Sequence, residues 1–411
     1  MPSKVGVFHP GTQHSWQTAL AFQEGGTLGW LATSVFYDPR RWPYRIERFL
    51  PAPLAARVHR EFSRRYTPVL DPDGIRQFGF WEWLEAGARR VGHDRLWTTI
   101  NRIGNRRFGQ QVIDLTEREK VDVLWGYNTS SVEVFRWAKR RGIPCVLDQT
   151  IGHCASLNRA MAAEEARHPD FFSRGYVPFS AAEIAQQDEE IALADAVVVG
   201  SEFCAGTLAE NGCPREKIRI IPYGFDETLF PIERPRRAPL EGRPVRFLFV
   251  GLVHPRKGIA ALLEAFARIP PEEASLTLVG NLEIPEQTFR RYAGRIRHVG
   301  SVPRQEVVNY FIEADCFVFP SLFEGGGIVL YEAAAAGLGI IQSMQCGDGV
   351  RDGRNGVILK EVTIPMLVDA LSSVIRDRAR LADWQEASWQ MRGERSWRRY
   401  REQARSLAQQ W

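Results

Sequence analysis

The sequence predicts two tandem α/β domains, each an open parallel sheet with helices on both faces. Three observations predict it. Short apolar β-type runs alternate with helical patterns along the chain. The alternation breaks at Pro231–Pro244 (PIERPRRAPLEGRP), which has no periodicity and is dense in proline and arginine, and then restarts. Finally, 411 residues exceed what one ordinary core accommodates. The domains are therefore expected at 1–230 and 245–380, joined by a linker over 231–244. A charged helical stretch, 381–411, is expected to pack back toward the first domain.

In the first half, strands are expected at 4–8 (KVGVF), 28–36 (LGWLATSVF), 121–126 (VDVLWG), 144–149 (PCVLDQ), 195–200 (DAVVVG) and 218–222 (IRIIP). Each is short, apolar and bounded by Gly, Pro or Asp, as a doubly covered strand should be. Thr12–Glu24 reads as a helix stopped by Gly25-Gly26. In the second half the strands are 245–250 (VRFLFV), 275–280 (SLTLVG), 297–300 (RHVG), 315–320 (DCFVFP) and 338–342 (LGIIQ). Helices there include Gly258–Ile269 and Arg304–Ala314.

Composition excludes several classes. Hydrophobic residues make up 44% and charged residues 25%, so disordered, collagen-like and fibrous readings drop out. No run approaches the ~20 apolar residues of a membrane span. Met-Pro-Ser-Lys runs straight into Val5-Gly6-Val7-Phe8 without the apolar core of a signal peptide, so a cytoplasmic location is expected. The six cysteines (Cys145, Cys154, Cys204, Cys213, Cys316, Cys346) form no C-x-x-C pair, and several lie in or beside apolar runs; they read as structural. A net charge of +4 is too mild to demand nucleic acid. Basic residues do gather with aromatics between Arg40 and Tyr66. That segment reads as a solvated helical face or, more sharply, as an edge meeting anionic lipid or a phosphorylated acceptor. Asp71-Pro72-Asp73-Gly74 resembles a metal-holding D-x-D pair, but Asp-Pro-Asp-Gly is turn chemistry and no strand is expected beside it; no metal site is assigned.

The most informative segment is Phe319–Gly337, FPSLFEGGGIVLYEAAAAG. A strand ends at Phe319-Pro320, Ser321–Gly327 makes a loop, and Ile328–Ala336 is rich in helix formers and stops at Gly337. Gly325-Gly326-Gly327 lets backbone N–H groups approach a ligand, and the helix start adds partial positive charge, which suits a diphosphate. Glu324 and Glu332 flank that seat and can accept hydrogen bonds from hydroxyls, one from a sugar and one from a ribose. Taken alone, the two glutamates would be ordinary charges near a helix start. The second segment, Val250–Gly258 (VGLVHPRKG), sends Arg256 and Lys257 from a strand's carboxyl end, where cations neutralise charge on a departing diphosphate.

These segments resemble the retaining GT-B glycosyltransferases of glycosyltransferase family 4. Glu324 and Glu332 match the family's E-x7-E motif, and Pro255, Lys257 and Gly258 its P-x-K-G loop. Ile221-Pro222-Tyr223-Gly224-Phe225-Asp226 is similar to its I-P-N-G-V-D segment. The runs Val279-Gly280, Val299–Pro303, Ala314-Asp315, Pro320-Ser321 and Asp352-Gly353…Asn355-Gly356 also follow its pattern. The resemblance implies two Rossmann-like doubly wound domains facing across a cleft, and sugar transfer from a nucleotide diphosphate sugar to a hydroxyl-bearing glycan or lipid-linked acceptor. It further implies retention of anomeric configuration, no cofactor and no metal. Glu324, Lys257, Arg256 and His153 become the expected catalytic residues. Gly325, Gly326, Gly327, Ile328, Val329, Glu332, Gly251, Gly280, Asn281 and Val302 become the expected donor-binding residues. His9, Gly11, Thr12 and His14 form a loop expected to meet acceptor or phosphate. The chain departs from the pattern at Leu252, where the family often has arginine: either Arg256 substitutes for it or the phosphates are held less tightly. It departs again at Tyr223, where Asn is usual, and at Leu338-Gly339, where a proline is common. A sugar-nucleotide epimerase and a non-catalytic nucleotide-sugar binder are the competing readings.

Overall fold

The computed structural model describes residues 3–11, 14–38, 44–63, 67–78, 94–235, 237 and 239–411. The chain forms two compact units. One comprises Met1–Gln149, Ala185–Val198 and Arg401–Trp411, the other Thr150–Ile184 and Val199–Tyr400.

The first unit is built on strands β1 (Val5–Phe8), β2 (Leu28–Thr33), β3 (Ile75–Gln77), β4 (Val123–Tyr127), β5 (Cys145–Gln149) and β6 (Ala196–Val199). They lie in the order β3-β2-β1-β4-β5-β6. The pairs β1–β2, β1–β4, β2–β3 and β4–β5 are parallel. β1, β4 and β5 are buried at every residue because helices cover both faces, which is why they read as unbroken apolar runs. The helix after β1 spans Ser15–Glu24. Arg401 and Arg405, near the end of the chain, reach Glu24 at 3.0 and 2.9 Å.

The second unit holds β7 (Ile218–Ile220) and a six-stranded sheet. Its strands are β8 (Val245–Val250), β9 (Ala274–Val279), β10 (Ile296–Gly300), β11 (Cys316–Phe319), β12 (Gly339–Ser343) and β13 (Gly356–Leu359), in the order β10-β9-β8-β11-β12-β13. All five pairings are parallel. β8 begins the winding in one direction and β11 continues it in the other, so a crevice opens at the carboxyl ends of this pair. The loops leaving β8 and β11 are the two segments that carry the candidate chemistry.

The segment 231–244 belongs to the second unit, and its described residues form no helix or strand. It is bound down rather than loose. The Arg237 guanidinium donates to the carbonyls of Ala314 (2.9 Å) and Ala336 (2.7 Å), and Arg243 pairs with the fully buried Asp315 at 2.6 and 2.9 Å.

Two strands escape the sequence reading. β3 follows Asp71-Pro72-Asp73-Gly74 directly, which corrects the expectation of no strand beside that turn. The turn itself is as expected, since Asp71 Oδ1 accepts the Asp73 N–H at 3.0 Å. β13 follows the Asp352–Asn355 loop. Both are sheet edges only three or four residues long. All six cysteines are buried. No helix among the described residues is long and apolar enough to cross a membrane. Of the basic segment, 40–43 and 64–66 lie outside the described residues. Within the remainder, Tyr44 is buried against Tyr37, while Ile46, Phe49 and Leu54 are exposed.

Candidate functional site

After β8 the chain makes a 3-10 turn, Pro255–Lys257, and then enters the helix Ile259–Phe266. His254 sets the turn: its backbone is extended and its ring Nδ1 accepts the Arg256 N–H at 3.0 Å, with Pro255 supplying a pre-set φ. Burial, with Arg256 and Lys257 nearby, lowers the His254 pKa to about 4, so the acceptor nitrogen stays unprotonated at neutral pH. Gly258 closes the turn at φ +68°, and a Cβ there would lie 2.0 Å from the Pro320 carbonyl. The turn is also fastened to the loop after β11. The Arg256 carbonyl accepts from the Leu322 N–H (2.8 Å) and from Ser321 Oγ (3.1 Å).

That second loop, Ser321–Gly327, opens the helix Ile328–Ala335. Gly327 is left-handed (φ +53°) and no side-chain hydrogen bond caps the helix start, where the Leu330 N–H donates to the Gly327 carbonyl at 2.8 Å. A Cβ on Gly325 would meet the Thr150 carbonyl at 1.8 Å and one on Gly327 the Cys346 carbonyl at 2.3 Å, so neither position has room for a side chain. Ile328 and Val329, in the first turn, are half-buried.

The two loops bring three expected residues into one cluster. Glu324 Oε1 accepts from Lys257 Nζ, from Arg256 Nη1 at 3.3 Å and from Ser321 Oγ at 2.6 Å. Arg256 also donates to the Phe323 carbonyl at 2.5 Å, and Lys257 Nζ stands 5.1 Å from the centre of the Phe319 ring. Burial alone would raise the Glu324 carboxyl, but Lys257 and Arg256 outweigh it and hold the group below the usual carboxylate range. Burial lowers the Lys257 ammonium despite the opposing pull of Glu324.

Glu332, one turn into the helix, is 8% exposed and accepts from Arg304 Nη2 at 2.9 Å. Burial raises its carboxyl, Arg304 opposes this, and Asp226 adds to it. Gly251 and Gly280 end β8 and β9, where a Cβ on Gly280 would sit 1.9 Å from the Gly251 carbonyl. The Asn281 carbonyl accepts from Val253 at 2.8 Å, leaving an exposed side chain, and Val302 is half-buried.

His153 caps the helix Cys154–Arg167: its Nδ1 accepts the Ala155 N–H at 3.2 Å and its ring is 1% exposed. It lies close to the Glu324 loop through Gly152, whose Cβ would strike the Phe323 ring at 2.6 Å. In the first unit, His14 Nε2 and Asp148 Oδ2 are 3.0 Å apart and both are buried. The His14 and His9 rings meet Tyr127 edge-on, with centroids 5.3 and 4.9 Å away. Gly11 packs on the His9 ring, and burial lowers the His9 pKa to about 4. Thr12 lies outside the described residues. No cluster of three potential metal ligands occurs among the described residues.

Sequence reasoning missed His254, Ser321 and Arg304 as site residues. His254 carried a signal, since a His-Pro step before a basic turn has the form of a helix cap with proline at N1. Ser321 carried one too, since Pro320-Ser321 follows the family's pattern, whereas Arg304 carried none, because its partner is set by tertiary folding.

Residues 244–377 match the family model described as glycosyl transferases group 1, and residues 28–224 match the glycosyl transferase 4-like domain. The chain is 30% identical over 213 residues to D-inositol 3-phosphate glycosyltransferase of Nocardia farcinica, covering 46% of this chain and 47% of that protein. It is 31% identical over 154 residues to the amylovoran biosynthesis glycosyltransferase AmsK of Erwinia amylovora, covering 34% and 37%. The chain thus spans less than half the length of these curated relatives. Among solved structures, Anabaena Alr3699/HepE in complex with UDP superposes with a TM-score of 0.62 at 14% identity, over 99% of this chain and all of that one. At that identity the likeness concerns the fold.

Proposed function

The chain belongs to the GT-B glycosyltransferases of the family 4 type, and from that premise we propose that it moves a sugar from a nucleoside diphosphate sugar to a hydroxyl acceptor, with retention of anomeric configuration and without a metal ion. The observation that carries the reading is the Lys257–Arg256–Glu324 cluster beside the uncapped, glycine-lined start of the helix Ile328–Ala335.

The donor diphosphate sits on that helix start, where backbone N–H groups and the helix dipole favour an anion. Lys257 and Arg256 stabilise the charge that grows on the diphosphate as the bond to the anomeric carbon breaks. The acceptor hydroxyl attacks the face the diphosphate is leaving, and a diphosphate oxygen takes its proton. Glu324 orients the sugar through its hydroxyls and Glu332 holds the ribose, while His153 lines the sugar site. Gly251, Gly280, Asn281 and Val302 shape the nucleotide side. His9, Gly11, Thr12 and His14 meet the acceptor or its phosphate. The reaction serves polysaccharide or glycolipid assembly in the cytoplasm, at the inner face of a membrane.

Donor-dependent transfer and slow donor hydrolysis, measured for wild type, Lys257→Ala and Glu324→Ala, test the assignment. Turnover should collapse in both variants; unchanged turnover in both removes it. A donor incubated alone that yields an isomeric sugar points instead to an epimerase.

A further inference from the structure

We infer that Glu324 is an internal counter-anion that competes with the donor's diphosphate, so that donor binding exchanges one anion for another on the Lys257 ammonium. The inference rests on the donor-site reading above and adds a sign to it.

A single carboxylate oxygen, Glu324 Oε1, receives Lys257, Arg256 and Ser321 together. The side chains of Lys257 and Glu324 are only 12% and 11% exposed, so water does little of the neutralising. A buried ammonium without a counter-ion is costly, and Glu324 removes that cost while the nucleotide is absent. The cations that a diphosphate requires are therefore already engaged.

The two cations are not held equally. Arg256 is tied by its guanidinium to the Phe323 carbonyl and by its own N–H and carbonyl to His254, Leu322 and Ser321. Lys257 has a flexible four-carbon stem, and its ammonium is bound to Glu324. Lys257 is the group that moves. When it leaves, Glu324 keeps Ser321 and gains an open acceptor for a sugar hydroxyl. Capture of the diphosphate and grip on the sugar thus become coupled. A nucleotide that carries no sugar frees Lys257 from Glu324 and offers the carboxylate nothing in return.

Removing the carboxylate should therefore help one ligand and ruin the reaction. UDP, GDP, ADP and inorganic pyrophosphate are titrated calorimetrically into wild type, Glu324→Gln, Glu324→Ala, Lys257→Met and the Glu324→Gln/Lys257→Met double variant, each checked for folding by thermal unfolding. Whichever probe binds wild type should bind Glu324→Gln about tenfold more tightly, roughly one charge-assisted contact. Sugar transfer should meanwhile fall at least a hundredfold, and the Gln variant without ligand should unfold at lower temperature. In the Lys257→Met background the same Glu324→Gln change should alter affinity less than threefold, because no ammonium is left to contest. Glu324→Ala should repeat the gain if the Gln variant fails to fold. A probe that binds wild type but binds both Glu324 variants no more tightly overturns this inference and leaves the donor site standing. If no probe binds wild type, the donor-site reading falls and takes the inference with it.

Discussion

Lys257→Met separates stability from catalysis at the centre of the site. Methionine keeps an unbranched side chain of similar length and removes the ammonium, its charge together with its N–H donors. In the ligand-free protein Glu324 does not become an orphan, since Arg256 (3.3 Å) and Ser321 (2.6 Å) still donate to it. The loss of stability should therefore be about 1–2 kcal/mol, below the ~3–5 kcal/mol that follows when a buried charge loses its partner outright. On the reaction, removal of one preorganised donor to a developing charge costs about 2.7–4 kcal/mol, or 10²–10³ in kcat. Arg256 remains, which places the expected loss at the lower end, near a hundredfold in kcat/KM. Steady-state transfer from a nucleotide sugar reads the kinetic effect, and urea unfolding reads the stability. Lys257→Arg should recover part of the rate by restoring a cation. A folded Lys257→Met variant whose kcat/KM stays within threefold of wild type would refute the reasoning.

Three further outcomes are expected. Glu332→Ala should weaken nucleotide binding about tenfold to a hundredfold, the worth of a charge-assisted hydrogen bond; it should also abolish any preference of wild type for a ribose over a 2′-deoxyribose nucleotide, and an undiminished preference would reject the ribose role. Asp315→Asn should cost about 3–5 kcal/mol in chemical unfolding, because the fully buried carboxylate takes two bonds from Arg243 (2.6 and 2.9 Å) and another from the Arg246 N–H (2.9 Å); a loss under 1 kcal/mol would show that 231–244 is not anchored there. His9, 6% exposed, has its pKa lowered to about 4, chiefly by burial. The unfolded chain takes up a proton near pH 6.5 that folded His9 refuses, so stability is intact above that pH and drains away between about pH 6.5 and 4, at up to about 1.4 kcal/mol per pH unit. His9→Gln should flatten the stability–pH curve over that window, and parallel curves would contradict it.

Much of this architecture could be read from the sequence because doubly covered parallel strands must be apolar throughout. Runs such as VRFLFV and DCFVFP declare themselves for that reason, and each expected strand is present with ends shifted by a few residues. β3 (IRQ) and β13 (GVIL) did not, since an edge strand is short and half-exposed and leaves little periodicity to find. The candidate site divides in a similar way. Glycines before a helix, glutamates on either side and a lysine after a strand are local patterns, so Gly325–Gly327, Glu324, Glu332 and Lys257 stood out. The pairing of Arg304 with Glu332, 28 residues apart, and of His14 with Asp148, 134 residues apart, depends on which loops the sheets bring together. Spacing along the chain carries no record of that.

The most direct measurement is a crystal structure of the protein soaked with UDP, GDP or ADP in turn. The account predicts phosphate oxygens within hydrogen-bonding distance of the N–H groups that open the helix Ile328–Ala335, with the Lys257 ammonium turned onto them and away from Glu324. A nucleotide seated elsewhere, with the Lys257–Glu324 pair intact, would contradict it.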